Sequence, residues 1–253
     1  DPTGEIARAL KDYATFLRTR LQNDEYVVFS SLARQEPPRV YNYPWVARLQ
    51  LEMFKLTKDA KHLDDAVSTM RAAYRSGAEH FYMIDVPVVD LVTTLREAKR
   101  TAEANELLAL FAKTAETFLK NGTMTPSHEV PFEQSILVPS AQFLSELYLV
   151  TKDVRYRRGV EVILPAVLAF QGCQPSWHLN NVSIRHWDGF WFGKSRLYGD
   201  TMPQWCGAAV GEAYYWMALA EIRGVRNLTG TLRQLRVRWM TAGSPTEYEN
   251  VYE

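Results

Sequence analysis

Apolar residues recur at helical spacing along most of the chain, and this pattern predicts a protein built from α-helices. The first helix is predicted over residues 5–22, where Ile6, Leu10, Tyr13, Phe16, Leu17 and Leu21 follow that spacing. Further helices are predicted over 42–56, 61–76, 86–97, 101–120, 134–150, 154–170, 205–222 and 228–239. No convincing strand pattern appears, so we predict an all-α fold.

Two of the predicted turns share one sequence plan. Thr57-Lys58-Asp59 and Thr151-Lys152-Asp153 each lie between two amphipathic helices. The aspartate can cap the second helix, and so short a connection makes the two helices antiparallel. Repeated hairpins of this kind either stack as an open solenoid or close into a toroid. The chain length fits one large domain or two small ones, and we predict a single helical domain over residues 1–253.

The longest predicted connection, 171–204, has the most unusual composition. Residues 185–205, the aromatic stretch, overlap the end of this connection. They contain three tryptophans and two phenylalanines among acidic, basic and glycine residues. Connections longer than about 12–15 residues are usually functional. Aromatic faces beside hydrogen-bonding side chains suit a sugar ring, whose C–H face is apolar and whose hydroxyls need partners. The alternative is that this segment plugs the core, with Asp188 and Asp200 in turns.

Composition narrows the classes of partner. Lys plus Arg and Asp plus Glu number 29 each, so the net charge is zero, and neither a nucleic acid nor a polybasic membrane surface is the expected partner. No apolar run approaches the roughly 18 residues of a membrane-spanning helix. No cysteine and histidine spacing is typical of a zinc site, and we expect neither a metal nor a cofactor.

The stretch Arg185-His-Trp-Asp-Gly-Phe-Trp-Phe-Gly-Lys, with Tyr198-Gly-Asp-Thr and the helix start Glu133-Gln-Ser, resembles the six-hairpin glycosidases. The resemblance covers most of residues 35–220. It implies an (α/α) toroid, here with fewer helices than a full ring, that hydrolyses a glycosidic bond of a uronate-containing oligosaccharide or polysaccharide with paired carboxylates.

The predicted catalytic pair comes from two different connections. One carboxylic acid protonates the leaving oxygen, and a second carboxylate acts as base or nucleophile. Asp188 and Glu133 are the first candidates, and Asp200 is the reserve. Because the connections 121–133 and 171–204 flank one hairpin, we expect them to meet over one cleft.

The remaining candidates are predicted to contact the sugar. The basic groups can hold a uronate carboxylate, and the rings can stack on the sugar or raise the pKa of an acid by desolvation. The predicted contacts are Arg185, His186, Trp187, Trp191, Lys194, Arg196, Tyr198, Trp205, His178, Asn180, His128 and Tyr43.

Two other functions are compatible with the same residues. A polysaccharide lyase needs a base, here His186 or Tyr198, and a group that neutralises the uronate carboxylate, here Arg185. A non-catalytic helical repeat would bind glycan or protein without turnover.

Overall fold

Helices dominate the structure, a computed structural model that describes residues 4–32, 38–129, 134–169, 184–185, 202–203, 213, 215–223 and 225. The long helices are α1 Glu5–Phe16, α2 Tyr43–Thr57, α3 Ala60–Arg75, α4 Val88–Glu97, α5 Thr101–Asn121, α6 Gln134–Thr151 and α7 Val154–Ala169. A π-helical turn, Leu17–Leu21, extends α1, and 3₁₀ turns form at Val40–Asn42 and Ala78–His80. Residues 215–219 are also helical.

Two short strands are present in the described residues, β1 Ile184–Arg185 and β2 Met202–Pro203, and they pair antiparallel. Because all the long elements of the described residues are helices, the all-α prediction is confirmed. The helices predicted up to residue 170 all form, with ends that shift by a few residues. The predicted helix 228–239 and most of 205–222 lie outside the described residues.

The two Thr-Lys-Asp turns have the same atomic structure. Lys58 and Lys152 take left-handed backbone conformations, with φ of 61° and 60°. In both turns the threonine hydroxyl donates to the carbonyl four residues earlier and accepts the aspartate N–H at 3.2 Å. Each aspartate carboxylate then accepts the N–H two residues later, at 3.0 Å in the first turn and 2.9 Å in the second. These local bonds cap the second helix and confirm the predicted hairpins.

Helix α1 turns a different face inward from the one its large apolar residues suggest. Ala7 and Ala14 are buried, whereas Ile6 is 78% exposed and Tyr13 is 53% exposed. The small residues let α1 contact α2 closely, and Gln50 of α2 donates a hydrogen bond to the Ala14 carbonyl at 3.3 Å. Close approach of the backbones thus selects the alanine face.

The chain divides into two compact units, 1–114 and 115–253, and the division falls inside α5. In the first unit, α2 packs against α3, and Tyr43, Tyr82 and Phe111 are fully or almost fully buried. The single-domain assignment stays a prediction.

In the second unit α6 packs against α7. The rings of Phe118 and Phe143 meet edge to face at 5.6 Å. Gly159 of α7 permits the closest approach, because a Cβ there would collide with Leu119 and lie 3.1 Å from Leu144. The small residues of 206–211, Cys-Gly-Ala-Ala-Val-Gly, predict a close helix contact, but they lie outside the described residues.

None of the helices in the described ranges is both long enough and apolar enough to cross a membrane.

Candidate functional site

Most of the predicted site residues lie outside the described part of the chain. These are the three carboxylates Asp188, Glu133 and Asp200, together with His186, Trp187, Trp191, Lys194, Arg196, Tyr198, Trp205, His178 and Asn180. Of the remaining three, the structure describes the backbone of Arg185 and the whole of Tyr43 and His128.

The strand pair brings together the two ends of the aromatic stretch. Ile184 pairs with Pro203 and Arg185 pairs with Met202, so the chain that leaves β1 returns beside it in β2. Strand β1 also contacts α6, the helix that directly follows Glu133 in the sequence. This contact places the base of the aromatic stretch next to the helix that begins after the 122–133 connection.

Helix α6 is unusual because every residue from 136 to 147 is buried. A helix buried on all sides normally carries apolar residues only, yet α6 contains Ser140, Gln142, Ser145 and Glu146, all at most 3% exposed. Each serine hydroxyl donates at 2.7 Å to a carbonyl of its own helix. The serines are thereby satisfied locally.

Gln142 and Glu146 form a buried polar pair one helical turn apart. Gln142 Nε2 donates to Glu146 Oε1 at 3.0 Å, and Glu146 is only 1% exposed. A buried carboxylate is costly unless hydrogen bonds satisfy it, so such groups concentrate at functional sites. This pair was not among the predicted site residues. The available signal was a Gln and a Glu four residues apart in an otherwise apolar segment.

The two fully described candidates have different environments. Tyr43 is fully buried in the first unit, and its hydroxyl lies 3.1 Å from Ser76 Oγ. His128 is exposed in the connection that follows α5, beside the buried Glu129. The N–H of Glu129 donates to the Pro126 carbonyl at 2.9 Å, which fixes a turn at this point. Of the two, His128 is accessible to a large substrate in this structure, whereas Tyr43 is enclosed.

Several shifted pKa values in the first unit arise from ion pairs of helix α5 or from burial. The Arg100 hydrogen bond lowers the pKa of Glu103, and the Arg71 hydrogen bond lowers that of Glu106. Burial raises the pKa of Tyr74, whose hydroxyl lies 2.8 Å from Thr114 Oγ1. The Arg71–Glu106 pair joins α3 to α5, and the Arg100–Glu103 pair is local to the start of α5. Neither pair needs a catalytic explanation. Within the described ranges, no group of three or more His, Cys, Asp or Glu residues is placed to hold a metal ion.

Among solved structures, a polysaccharide lyase is similar to this chain. No protein-family model matches the sequence, and no curated protein matches it. A solved structure of a polysaccharide lyase matches with a TM-score of 0.83 and 40% sequence identity. The match covers 95% of this chain but 36% of the lyase, so the chain spans about a third of that protein's length.

This structural similarity supports the predicted helical fold. The chain shares its helical architecture with a segment of a polysaccharide lyase, and this is compatible with the expected (α/α) toroid. Membership of the six-hairpin glycosidase family stays a prediction.

Proposed function

We propose that this chain belongs to a carbohydrate-active enzyme that cleaves a uronate-containing polysaccharide by β-elimination. The observation that carries the proposal is the 40% identity to a polysaccharide lyase over 95% of this chain. At this identity and coverage the similarity extends through the aromatic stretch as well as the hairpins. It favours elimination over the hydrolysis that the residue pattern first suggested.

The proposed reaction breaks a C–H bond and a C–O bond and forms a carbon–carbon double bond and an O–H bond, and the protonated base or water supplies the proton for the leaving oxygen. A base removes the proton from the carbon next to the uronate carboxylate, and that carbon's electron pair forms a double bond to its neighbour. The bond between the neighbour and the glycosidic oxygen breaks, and the leaving oxygen takes up a proton. The carboxylate gains negative charge as the proton leaves, so a cation or hydrogen-bond donor beside it lowers the barrier.

Three residues of the aromatic stretch supply these roles in the proposal. Arg185 neutralises the carboxylate through a two-pronged contact, and His186 or Tyr198 acts as the base. The pairing of β1 with β2 and the contact of β1 with α6 support a site at this place. The buried Gln142–Glu146 pair on α6 is proposed to orient groups of the same site.

The other candidates are proposed to hold the glycan. Rings stack on the apolar faces of sugars, cations meet acidic groups, and amides and imidazoles bind hydroxyls. The residues assigned to this role are Trp187, Trp191, Trp205, Lys194, Arg196, His178, Asn180 and His128. Tyr43 is not assigned to it, because its side chain is fully buried in the first unit.

Hydrolysis is the second candidate function, because Asp188, Glu133 and Asp200 offer carboxylates for a catalytic pair. The two reactions differ in which side chains they need. Elimination depends on Arg185 and on His186 or Tyr198. Hydrolysis depends on Asp188 and one of the other two acids.

The test incubates the complete protein with a panel of uronate-containing polysaccharides and follows the ultraviolet absorbance of the unsaturated product. Tyr198→Phe or His186→Ala should lower turnover by a factor of about 10² or more, as expected for loss of a general base. Asp188→Asn and Glu133→Gln serve as matched controls and should retain the absorbance signal. New reducing ends without absorbance, abolished by Asp188→Asn, would instead establish hydrolysis.

A further inference from the structure

A polar cavity lies in the first unit, between the end of α1 and helix α3. Its volume is about 470 Å³, and its lining consists of Arg18, Thr19, Gln22, Asn23, Asp24 and Lys61. Sites for small ligands usually occupy about 300–1,000 Å³. We propose that this cavity binds one uronate unit of a polysaccharide, with the carboxylate held between Arg18 and Lys61. The inference rests on the proposed action on a uronate glycan and adds a second binding site for it.

One buried carboxylate fixes both cations of the cavity. Asp65 is 3% exposed, and its Oδ2 accepts a hydrogen bond from Lys61 Nζ at 2.9 Å. Its Oδ1 accepts from the Tyr26 hydroxyl at 2.8 Å and lies 3.7 Å from Arg18 Nε. Asp65 therefore holds two positive groups at neighbouring places on the cavity wall.

Arg18 is held by two further contacts. Its guanidinium stacks 3.9 Å from the centre of the Tyr26 ring, and Nη1 donates to the Asn23 carbonyl at 3.0 Å. An arginine held in this way loses little conformational entropy when it binds an anion. Lys61, by contrast, has a side chain that is 68% exposed, so its ammonium can add a ligand while it keeps Asp65.

The backbone around the cavity is irregular in two places. Arg18 and Thr19 belong to the π-helical turn Leu17–Leu21, and such turns occur often at functional sites. Tyr26 has a φ of 64°, a left-handed conformation that is unfavourable for a residue with a side chain. The strained conformation persists because it brings the Tyr26 hydroxyl to Asp65 and its ring under Arg18.

The hydrogen-bonding groups of the cavity match a sugar acid. Asp65 and Asp24 balance the charges of Arg18 and Lys61, so the carboxylate is recognised by direct contacts with the two cations rather than by a net positive charge. Asn23 Oδ1 accepts the N–H groups of Glu25 and Val27, so within the described residues the Asn23 amide nitrogen can donate to the ligand. Asp24 is exposed at the rim, and its carboxylate can accept sugar hydroxyls.

The test uses pairs of sugars that differ only in the carboxylate. The protein is titrated with glucuronate and galacturonate, and in parallel with glucose and galactose, while backbone amide shifts are followed by nuclear magnetic resonance. The two uronates should shift the amides of residues 18–24 and 61, and the neutral sugars should bind at least about tenfold more weakly, because they lack the charge-assisted contact.

Substitutions of the two cations test whether the uronates bind in this cavity. Arg18→Gln combined with Lys61→Gln should weaken uronate binding at least about tenfold, and Lys61→Gln alone tests the site with the smallest risk to folding. The control combines Arg20→Gln with Lys11→Gln, which removes the same charge from exposed positions of the same segment. Equal loss in control and test variants would overturn the proposal, since it would mean nonspecific charge attraction.

Two other results would also overturn it. Unshifted amides at 18–24 and 61 would show that the cavity does not bind uronates, even if the enzyme forms unsaturated product. Displacement of the uronates by an equal concentration of sulfate would show a simple anion site. If uronates bind in this cavity but the protein forms no lyase product, the binding site is supported and only the proposed reaction is contradicted.

Discussion

The buried carboxylate of Asp65 offers a sharp test of the packing between α1, its π-helical extension and α3. In Asp65→Asn the side chain keeps its shape but loses its charge and one of its two acceptor oxygens. The Tyr26 hydroxyl and the Lys61 ammonium both donate to this carboxylate, at 2.8 and 2.9 Å. The new amide NH₂ must therefore face one of these donors.

The expected loss in the free energy of unfolding follows from these two hydrogen bonds. A hydrogen bond to a charged group contributes about 1.5–3 kcal/mol, but Lys61 is mostly exposed and regains water, so we expect a net loss of about 2 kcal/mol. For a chain of this size each kcal/mol lowers the midpoint of thermal unfolding by about 2–4 °C, which gives a fall of about 4–8 °C. Circular dichroism at helical wavelengths, with urea unfolding alongside, measures the change.

The preceding residue provides a matched control. Asp64, on the same helix as Asp65, pairs with Arg100 at 2.7 Å, but the Asp64 side chain is 57% exposed. Asp64→Asn should cost less than about 1 kcal/mol, as exposed ion pairs usually do. If Asp65→Asn lowers the midpoint no more than Asp64→Asn, then Asp65 does not anchor this cluster and the reasoning is refuted.

Three further predictions address the hairpins and the interior. Lys58→Gly and Lys152→Gly should each stabilise the protein by about 0.5–1 kcal/mol in urea unfolding, because glycine relieves the left-handed backbone strain, and a loss of stability would contradict the turn geometry. Burial lowers the pKa of His62, so its neutral form favours folding. This contribution is present above the unfolded value of about 6.5 and is lost as pH falls through the folded pKa. His62→Gln should therefore weaken the acid sensitivity of the unfolding midpoint, and an unchanged pH profile would contradict the assignment. Gly159→Val should cost about 1–3 kcal/mol by overpacking against Leu119, and Leu119→Ala should restore part of the loss in the double variant; additive losses would count against the close contact.

The parts of the fold that local sequence determines were predicted well. The Thr-Lys-Asp turns are an example, since every hydrogen bond that shapes them joins residues at most four apart. Helix ends were predicted to within a few residues for the same reason. The left-handed φ of 83° at Gly77, directly after α3, is another local signal that the sequence carries.

Features that depend on tertiary contacts were missed. The large apolar residues of α1 suggested its buried face, but contact with α2 selects Ala7 and Ala14 instead. The cavity of the first unit depends on Asp65, which is 39 residues from Tyr26 in the sequence. No local pattern reveals such a contact.

The candidate site likewise has one part that local sequence predicts and one part that depends on tertiary contacts. The aromatic stretch was identified from its composition, and the pairing of Arg185 with Met202 now joins its ends. The buried Gln142–Glu146 pair was not identified, because a polar pair inside an apolar helix carries meaning only once burial is known.

The central claim is that the enzyme eliminates rather than hydrolyses, and the most direct measurement is digestion of a uronate polysaccharide in water enriched with heavy oxygen, followed by mass spectrometry. Hydrolysis places one solvent oxygen in the products for each bond cleaved, whereas elimination places none and leaves an unsaturated end that is lighter by one water. Undigested oligosaccharides in the same water correct for exchange at the reducing end. We predict unsaturated fragments with no enzyme-dependent uptake of the label. Saturated fragments that gain one heavy oxygen per cleavage would contradict the account.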